Sequence, residues 1–439
     1  MNDLERAYNA LAGKQRLYND RWAYYHGTAP LAFANEARVR EIFRGLGSRC
    51  TENWAAVVVD TACDRINLSA INVPKAQQDL LAFLWDENEM ALVADDAHEA
   101  ALVCGEAFII VWPDEAGETR VYYNDPRLCH VFYDADYPNV MRLAAKWYVG
   151  DDKRYRLTLY YPDHLEYYVS TFEAENVQAA TAFVRADPPD AVNPYGVVPV
   201  FHLRTRRDGR GDLENVIPLQ NGVNKLLSEM IVLAEYGAFP QRYIISNADT
   251  SALKNAPNEL WNIPAGDGVG QQTAVGQFAP ADLKNYLDAI DRLSQAIGII
   301  TRTPKHYFFG QGGDPSGEAL IALEAPLNKK CGDYIKRFTP TWRAVAAFML
   351  QVAGQPVAKR EIQPIFERPE TVQPYTQALT RKTSWETGMA LTTLLRAEGW
   401  TESQLAQMAQ DKRAEGAQQQ ASLASALVEA QRRMDQGQA

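Results

Sequence analysis

The chain has 439 residues, too many for one ordinary domain and enough for two or three packed units with cores of their own. With 46% hydrophobic and 23% charged residues it has the make-up of a folded soluble protein, which excludes global disorder, and no apolar run approaches the ~18 residues of a membrane helix. Its 55 acidic residues against 44 Lys and Arg leave a formal charge of −11, which excludes a broad basic grip on nucleic acid but not a wall past which DNA slides, since a strong phosphate clamp would hinder motion.

The N-terminus lacks the basic-then-apolar order of a signal peptide, so synthesis in the cytoplasm is expected. Residues 1 to about 45 read as helix, with Leu4, Ala7, Tyr8, Leu11, Leu17, Tyr18, Trp22 and Tyr25 at helical spacing and Gly27 ending the run. Residues 53–64 and 88–104 give two more apolar-faced helices, the second followed by Gly105. From Glu106 to Tyr168 short β-rich runs alternate with turn residues, which predicts one antiparallel sheet. Residues 169–196 are polar, with Pro188, Pro189, Pro194 and Gly196 close together, and read as an exposed loop or hairpin.

A short strand and the basic loop after it lead to Asp212, a favoured N-cap for a long helix striped by Leu213, Val216, Ile217, Val223, Leu227, Met230, Ile231 and Ala234. Such a stripe needs a partner. A β-and-turn insertion over 238–280 follows, then a helix from about Ala281 to Ile297 with Leu283, Leu287, Ile290, Leu293 and Ile297 on one face. The segment 300–315 carries Pro304, Gly310, Gly312, Gly313 and Pro315 and reads as a mobile loop. Asp314 and Pro315 then suit the N-cap and first position of a third helix, whose interior Pro326 predicts a break or kink near 322–325. A strand near 361–367 and two helices opened by the boxes Thr383–Glu386 and Thr401–Gln404 complete the chain, ending in a polar helix or tail.

No string supplies a phosphate cradle, a nucleophile elbow or a paired-histidine zinc motif. Asp95–Asp96 and Asp151–Asp152 are sequence neighbours and read as solvated faces, not acid/base pairs. Five scattered cysteines, Cys50, Cys63, Cys104, Cys129 and Cys331, form no C-x-x-C pair and read as buried thiols. No catalytic residue, metal or cofactor is therefore expected. Arg204, Arg206, Arg207 and Arg210 suit an exposed loop or a bridge to a neighbouring subunit better than a DNA contact, because the chain is acidic. Arg302, Lys305, His306, Tyr307, Phe308 and Phe309 mix basic and aromatic residues on the glycine-rich loop, the combination best suited to touching nucleic acid; the alternative is an aromatic anchor against the core.

The ordered series WAYYHGTAP, NWAAVVVDTACDRI, ALVCGEAFIIVWPDEAGETRVYYNDP, NPYGVVPVFHLR with GDLENVIPLQNGVNKLLSEM, and DPSGEALIALEAPLNKKCGDYIKRFTPTWR resembles the portal (head-to-tail connector) proteins of tailed bacteriophages over nearly the whole chain. The resemblance implies an α+β subunit: an α/β wing over 1–211, an antiparallel stem hairpin at 212–237 and 281–299, and a small β-containing clip at 238–280. A tunnel loop at 300–315, a kinked wing helix with a returning strand at 316–370 and a helical crown with tail at 371–439 complete it. It implies no enzymatic activity, and a homo-oligomeric ring, usually of twelve, at one capsid vertex of the virion, assembled in the host cytoplasm and passing double-stranded DNA during packaging and ejection. The implied partners are the terminase large subunit, a major capsid or scaffolding protein and a head-tail connector protein, with no membrane.

On that scheme the loop residues Arg302, Lys305, His306, Tyr307 and Phe308 face the channel. Leu213, Val216, Val223, Leu227, Met230, Leu283, Leu287 and Ile290 form the stem interface, and Tyr243 and Trp261 sit on the docking clip. Two rivals stand beside this reading. Another virion part, such as a minor capsid or tail-adaptor protein, should lack the helix, β-insert, helix order followed by a glycine loop. A DNA-processing enzyme should carry a metal or nucleotide cluster.

Overall fold

The computed structural model describes residues 2–30, 51–237, 242–245, 274–277, 282–308, 317–370, 374–398, 400 and 402–436. In chain order these hold α1 (Asp3–Tyr25), α2 (Trp54–Cys63), β1 (Leu68–Asn72), α3 (Lys75–Glu87), α4 (Met90–Cys104), β2 (Glu106–Pro113), β3 (Thr119–Asn124), β4 (Cys129–Tyr133), β5 (Met141–Val149), β6 (Arg154–Tyr160), β7 (His164–Glu173), β8 (Phe183–Val192) and β9 (Val200–Arg204). After them come α5 (Ile217–Gly237), β10 (Arg242–Ile245), β11 (Ala274–Gln277), α6 (Lys284–Thr301), α7 (Gly317–Val352), β12 (Gln363–Phe366), α8 (Pro374–Glu386), α9 (Leu391–Ala397) and α10 (Glu402–Gln436). The chain divides into two compact units, one from 1–19, 60–211 and 313–439, the other from 20–59 and 212–312.

In the first unit, α1 opens with a capping box. The Asn2 side chain accepts the Glu5 N–H at 2.8 Å while the Glu5 carboxylate accepts the Asn2 N–H at 3.1 Å. The helix ends at Gly27 as expected, with φ +66°, a backbone that glycine adopts without strain; the part of the expected run beyond residue 30 lies outside the described residues. The single antiparallel sheet expected over 106–168 is instead two. One has the order β3-β2-β9 and the other β4-β5-β6-β7-β8. The turn at Asp125-Pro126 divides them, since proline has no N–H to extend a ladder.

The five-stranded sheet is covered on one face by α1, where Ala7, Tyr8 and Leu11 meet Leu143, Trp147, Leu157 and Leu159. Part of its other face meets Phe108, Ile110 and Val200 of the smaller sheet. Residues 169–196, expected as an exposed loop or hairpin, form the hairpin: 183–192 are the edge strand β8, paired with β7. Two prolines are tolerated there because one side of an edge strand has no ladder to complete.

A buried polar network ties α1 to both sheets. Glu106 accepts from Tyr18 Oη at 2.8 Å, Lys14 Nζ at 3.3 Å and His202 Nε2 at 2.9 Å, and Tyr133 Oη lies 3.0 Å from His202 Nδ1. Burial pushes the Glu106 carboxyl up, but the His202 hydrogen bond and Lys14 outweigh it and hold the group well below the usual carboxylate range. Burial also lowers His202, so a neutral ring donating from Nε2 and accepting at Nδ1 satisfies both contacts.

The loop after β9 lies backbone to backbone on the end of α4. A Cβ at Gly105 would stand 2.1 Å from the Gly209 carbonyl and one at Gly211 2.4 Å from that of Val103, so both positions require glycine. Arg204 stacks over the Tyr133 ring at 4.8 Å, whereas Arg206, Arg207 and Arg210 are exposed, with Arg210 beside Asp208. The basic cluster is thus split, one member structural and three facing outward.

Of the break or kink expected near 322–325, the break does not occur: α7 runs on through Pro326 and Pro340. Buried Glu324 and Asn328, which flank Pro326, are both held by Arg65, at 3.3 and 3.2 Å, so packing holds the turn whose backbone bond proline removes. The expected cap at Asp314 lies outside the described residues. β12 is the returning strand, antiparallel to β1. The box at Thr383 is also corrected: it falls in the last turn of α8, where the Thr383 hydroxyl donates to the Leu379 carbonyl at 3.0 Å, and Gly388 with φ +99° follows. α10 begins where the second box places a helix, with Thr401 itself outside the described residues.

Candidate functional site

The second unit holds the helical pair and the start of the loop. α5 begins at Ile217, not at Asp212, because Pro218 lacks the N–H that a continuous helix would need and suits a first turn instead. A turn precedes it, with the Ile217 N–H bonded to the Leu213 carbonyl at 2.9 Å. α5 and α6 approach so closely that a Cβ at Gly222 would come 3.0 Å from Leu293 Cδ1.

The expected stem stripe divides in two. Leu213, Val216, Val223 and Ile290 are buried within the subunit, Leu227 and Met230 are half-buried, and Leu283 and Leu287 are exposed. An apolar face left in water on a helix that already packs on its partner marks a surface with more to cover.

At the end of α6 the chain turns through Arg302, at φ 60° and ψ 25°, a left-handed conformation usually given to glycine. The Thr303 N–H returns to the Gly298 carbonyl at 3.0 Å, and Pro304 then prevents the helix from continuing. Thr301 Oγ1 donates to the Ile297 carbonyl at 2.7 Å and lies 3.0 Å from Thr303 Oγ1. A short turn, Lys305–Tyr307, follows.

Phe308, expected in the channel with an anchor against the core as the alternative, is 6% exposed, edge-on to Trp54 at 5.2 Å, with its ring 3.3 Å from where a Gly298 Cβ would sit. A side chain so enclosed cannot meet DNA without moving. The other four members stay accessible. Arg302 and Lys305 are exposed and have no acidic partner among the described residues, and His306 and Tyr307 are half-buried with their rings 4.4 Å apart. Phe309 and the glycines after it lie outside the described residues.

The anchor beneath Phe308 was not legible in the sequence. Gln220 holds the start of α2 at two points: its Oε1 accepts the Trp54 N–H at 2.9 Å, and its Nε2 donates to the Glu52 carbonyl at 2.7 Å. Tyr24 Oη donates to Asn221 Oδ1 at 2.7 Å and Asn53 Nδ2 to the Tyr25 carbonyl at 2.7 Å. The Glu52 carboxyl is raised by burial and by Asp291, against a lowering hydrogen bond from Trp54. Four distant segments thus fix the root of one loop.

Of the insertion expected to form the clip, β10 and β11 form an antiparallel pair with Tyr243 opposite Gly276, where the phenol ring occupies the space a Cβ would take. Tyr243 is partly exposed, and Trp261 lies outside the described residues. No group of His, Cys, Asp and Glu suited to a metal ion occurs among the described residues, and no helix there is long and apolar enough to cross a membrane. Cys63, Cys104, Cys129 and Cys331 form no disulfide among the described residues; burial raises Cys129 to about 12. His98 is buried against Phe338 and accepts the Trp342 indole N–H at 2.9 Å; burial lowers it to about 3, so it serves as a neutral core residue.

The described residues thus hold a β-bearing insertion between two packed helices, followed by a loop pinned at its root. The family model described as phage portal protein, SPP1 Gp6-like, matches residues 4–421, and the chain belongs to that family. The portal protein of Mycobacterium phage L5 is 24% identical over 323 residues, 66% of this chain and 61% of that protein, so the chain spans about three fifths of that relative's length. Among solved structures, a chain from the neck of an empty GTA particle computed with C6 symmetry is similar at a TM-score of 0.47 and 14% identity, covering 87% of this chain and 94% of that one. A chain from the virion of a native gene transfer agent particle gives 0.45 and 12%, covering 84% and 94%.

Proposed function

We infer that the protein is the repeating subunit of a phage portal: a closed homo-oligomeric ring at one capsid vertex, without enzymatic activity, through which double-stranded DNA enters and leaves. The observation that carries the reading is the family match across residues 4–421. The exposed apolar residues on a helix pair that already packs internally support it, because a head-to-tail contact that closes makes a ring and covers them in every copy.

On this reading the stem is the α5–α6 pair and the clip is the insertion between them, where terminase docks during packaging and connector proteins afterwards. The capsid or scaffolding protein is met elsewhere on the ring, and assembly takes place in the host cytoplasm. The tunnel loop starts at Arg302. Its accessible cations, Arg302 and Lys305, touch passing phosphates, and so few contacts give weak, salt-sensitive binding suited to sliding. Phe308 is the loop's anchor. Native mass measurement of the purified protein tests the ring: a closed oligomer of about twelve copies is expected, and a monomer at all concentrations overturns it.

A further inference from the structure

Part of one face of the five-stranded sheet is uncovered. Pairing aligns Tyr148, Arg156, Val169 and Val184 in one row across β5, β6, β7 and β8. The row Ala144, Tyr160, Leu165 and Ala191 shares that face but lies at its other end, packed with the smaller sheet. At the open end Tyr148 and Val184 are each 47% exposed. Between the rows stands Lys146, whose ammonium lies 6.0 Å from the centre of the Tyr148 ring and has no carboxylate partner among the described residues. Burial lowers its pKa, so the charged form is poorly compensated there. Arg156 in the row is the second cation, bound to Asp152 at 2.8 Å.

The same unit carries the opposite kind of surface on α3 and α4. Between Ala76 and Gly105 the chain has seven acidic residues and no Lys or Arg. On α3, Phe83 is 57% exposed, with exposed Asp79 and Asp86 one turn to either side of it. On α4, Leu92 is 60% exposed, with Asp95 and Asp96 one turn further on. None of these four aspartates has a cationic partner among the described residues, and Asp95 is raised by burial and by the like charge of Asp96.

One chain thus presents exposed apolar residues on α3 and α4, each with uncompensated aspartates one turn away, and a sheet face holding cations. A cyclic ring needs two different, mutually complementary faces on each copy, and unlike charge beside apolar contact sets both register and partner. We propose that the α3–α4 elbow of one copy docks on the open β5–β8 face of the next, placing Phe83 and Leu92 against Tyr148, Val169 and Val184 and Asp95 and Asp96 toward Lys146 and Arg156. The inference rests on the ring reading above, and gives the ring a second contact besides the stem.

The test uses the full chain carrying Leu92→Cys, Val184→Cys or both, treated with a short bis-maleimide after native mass has been recorded. A ladder of covalent oligomers from the double variant, absent from wild type and from each single variant, is expected. An assembled double variant that gives no ladder overturns the docking while leaving the ring intact, as does a ladder from either single variant; a monomer removes the ring reading and this contact with it. In parallel, Asp95→Lys with Asp96→Lys should raise the concentration needed for assembly by about tenfold or more. Adding Lys146→Glu and Arg156→Glu should restore it. Unchanged assembly of the first variant, at an unchanged melting temperature, also overturns the proposal.

Discussion

At the scale of single residues, Arg302 is the informative position. A non-glycine residue in the left-handed region costs on the order of 1 kcal/mol, and the chain bears that cost at the root of the loop, where the side chain is exposed and has no acidic partner among the described residues. Arg302→Gly is expected to stabilise the fold by about 1 kcal/mol while lowering the amount or retention of packaged DNA. Phe308→Ala should behave differently and cost about 3–5 kcal/mol, because the ring fills space against Trp54 and Gly298. Thermal melts of both variants beside a packaging assay separate the charge from the anchor. A loss of stability in Arg302→Gly, or none in Phe308→Ala, contradicts the assignment. Single residues also set element boundaries: Pro218 delays α5, and Thr383, although it heads a capping-box string, bonds backward inside α8.

At the scale of elements, α5 and α6 carry one periodic stripe with two fates. The buried part, Val223 with Leu213, Val216 and Ile290, closes the subunit, whereas Leu283 and Leu287 remain in water. Burying an unpaired carboxylate costs several kcal/mol, so Val223→Asp should unfold or strongly destabilise the second unit. Leu287→Asp replaces an exposed residue and should leave the melting temperature of the isolated chain near wild type while preventing ring assembly, as read by light scattering. If Leu287→Asp still forms rings of normal mass, the exposed part of the stripe is not an interface. Helical periodicity shows that a face is apolar, but not which neighbour covers it.

At the scale of the whole molecule, the insertion between α5 and α6 is expected to be separable from the ring. β10 and β11 pair with each other, so the chain leaves and re-enters the helical pair through one narrow ladder. Replacing residues 246–273 by a short Gly/Ser linker should therefore preserve ring mass and abolish co-sedimentation with the packaging motor. Retained motor binding by that ring shows that docking lies elsewhere.

The helices, most strands, the glycine that ends α1 and the family were legible in the sequence, because periodicity, turn residues and an ordered series of strings are local properties that survive in one dimension. So was the absence of a catalytic string. Tertiary structure decided the rest. It split one β-rich stretch into two sheets at Pro126, made 183–192 an edge strand by pairing it with β7, and carried α7 through Pro326 on packing with Arg65. It also turned Phe308 inward, and it lined up Tyr148, Arg156, Val169 and Val184, four residues scattered over 37 positions, into one surface. Burial and register depend on contacts between residues far apart in the chain, and only the folded backbone brings them together.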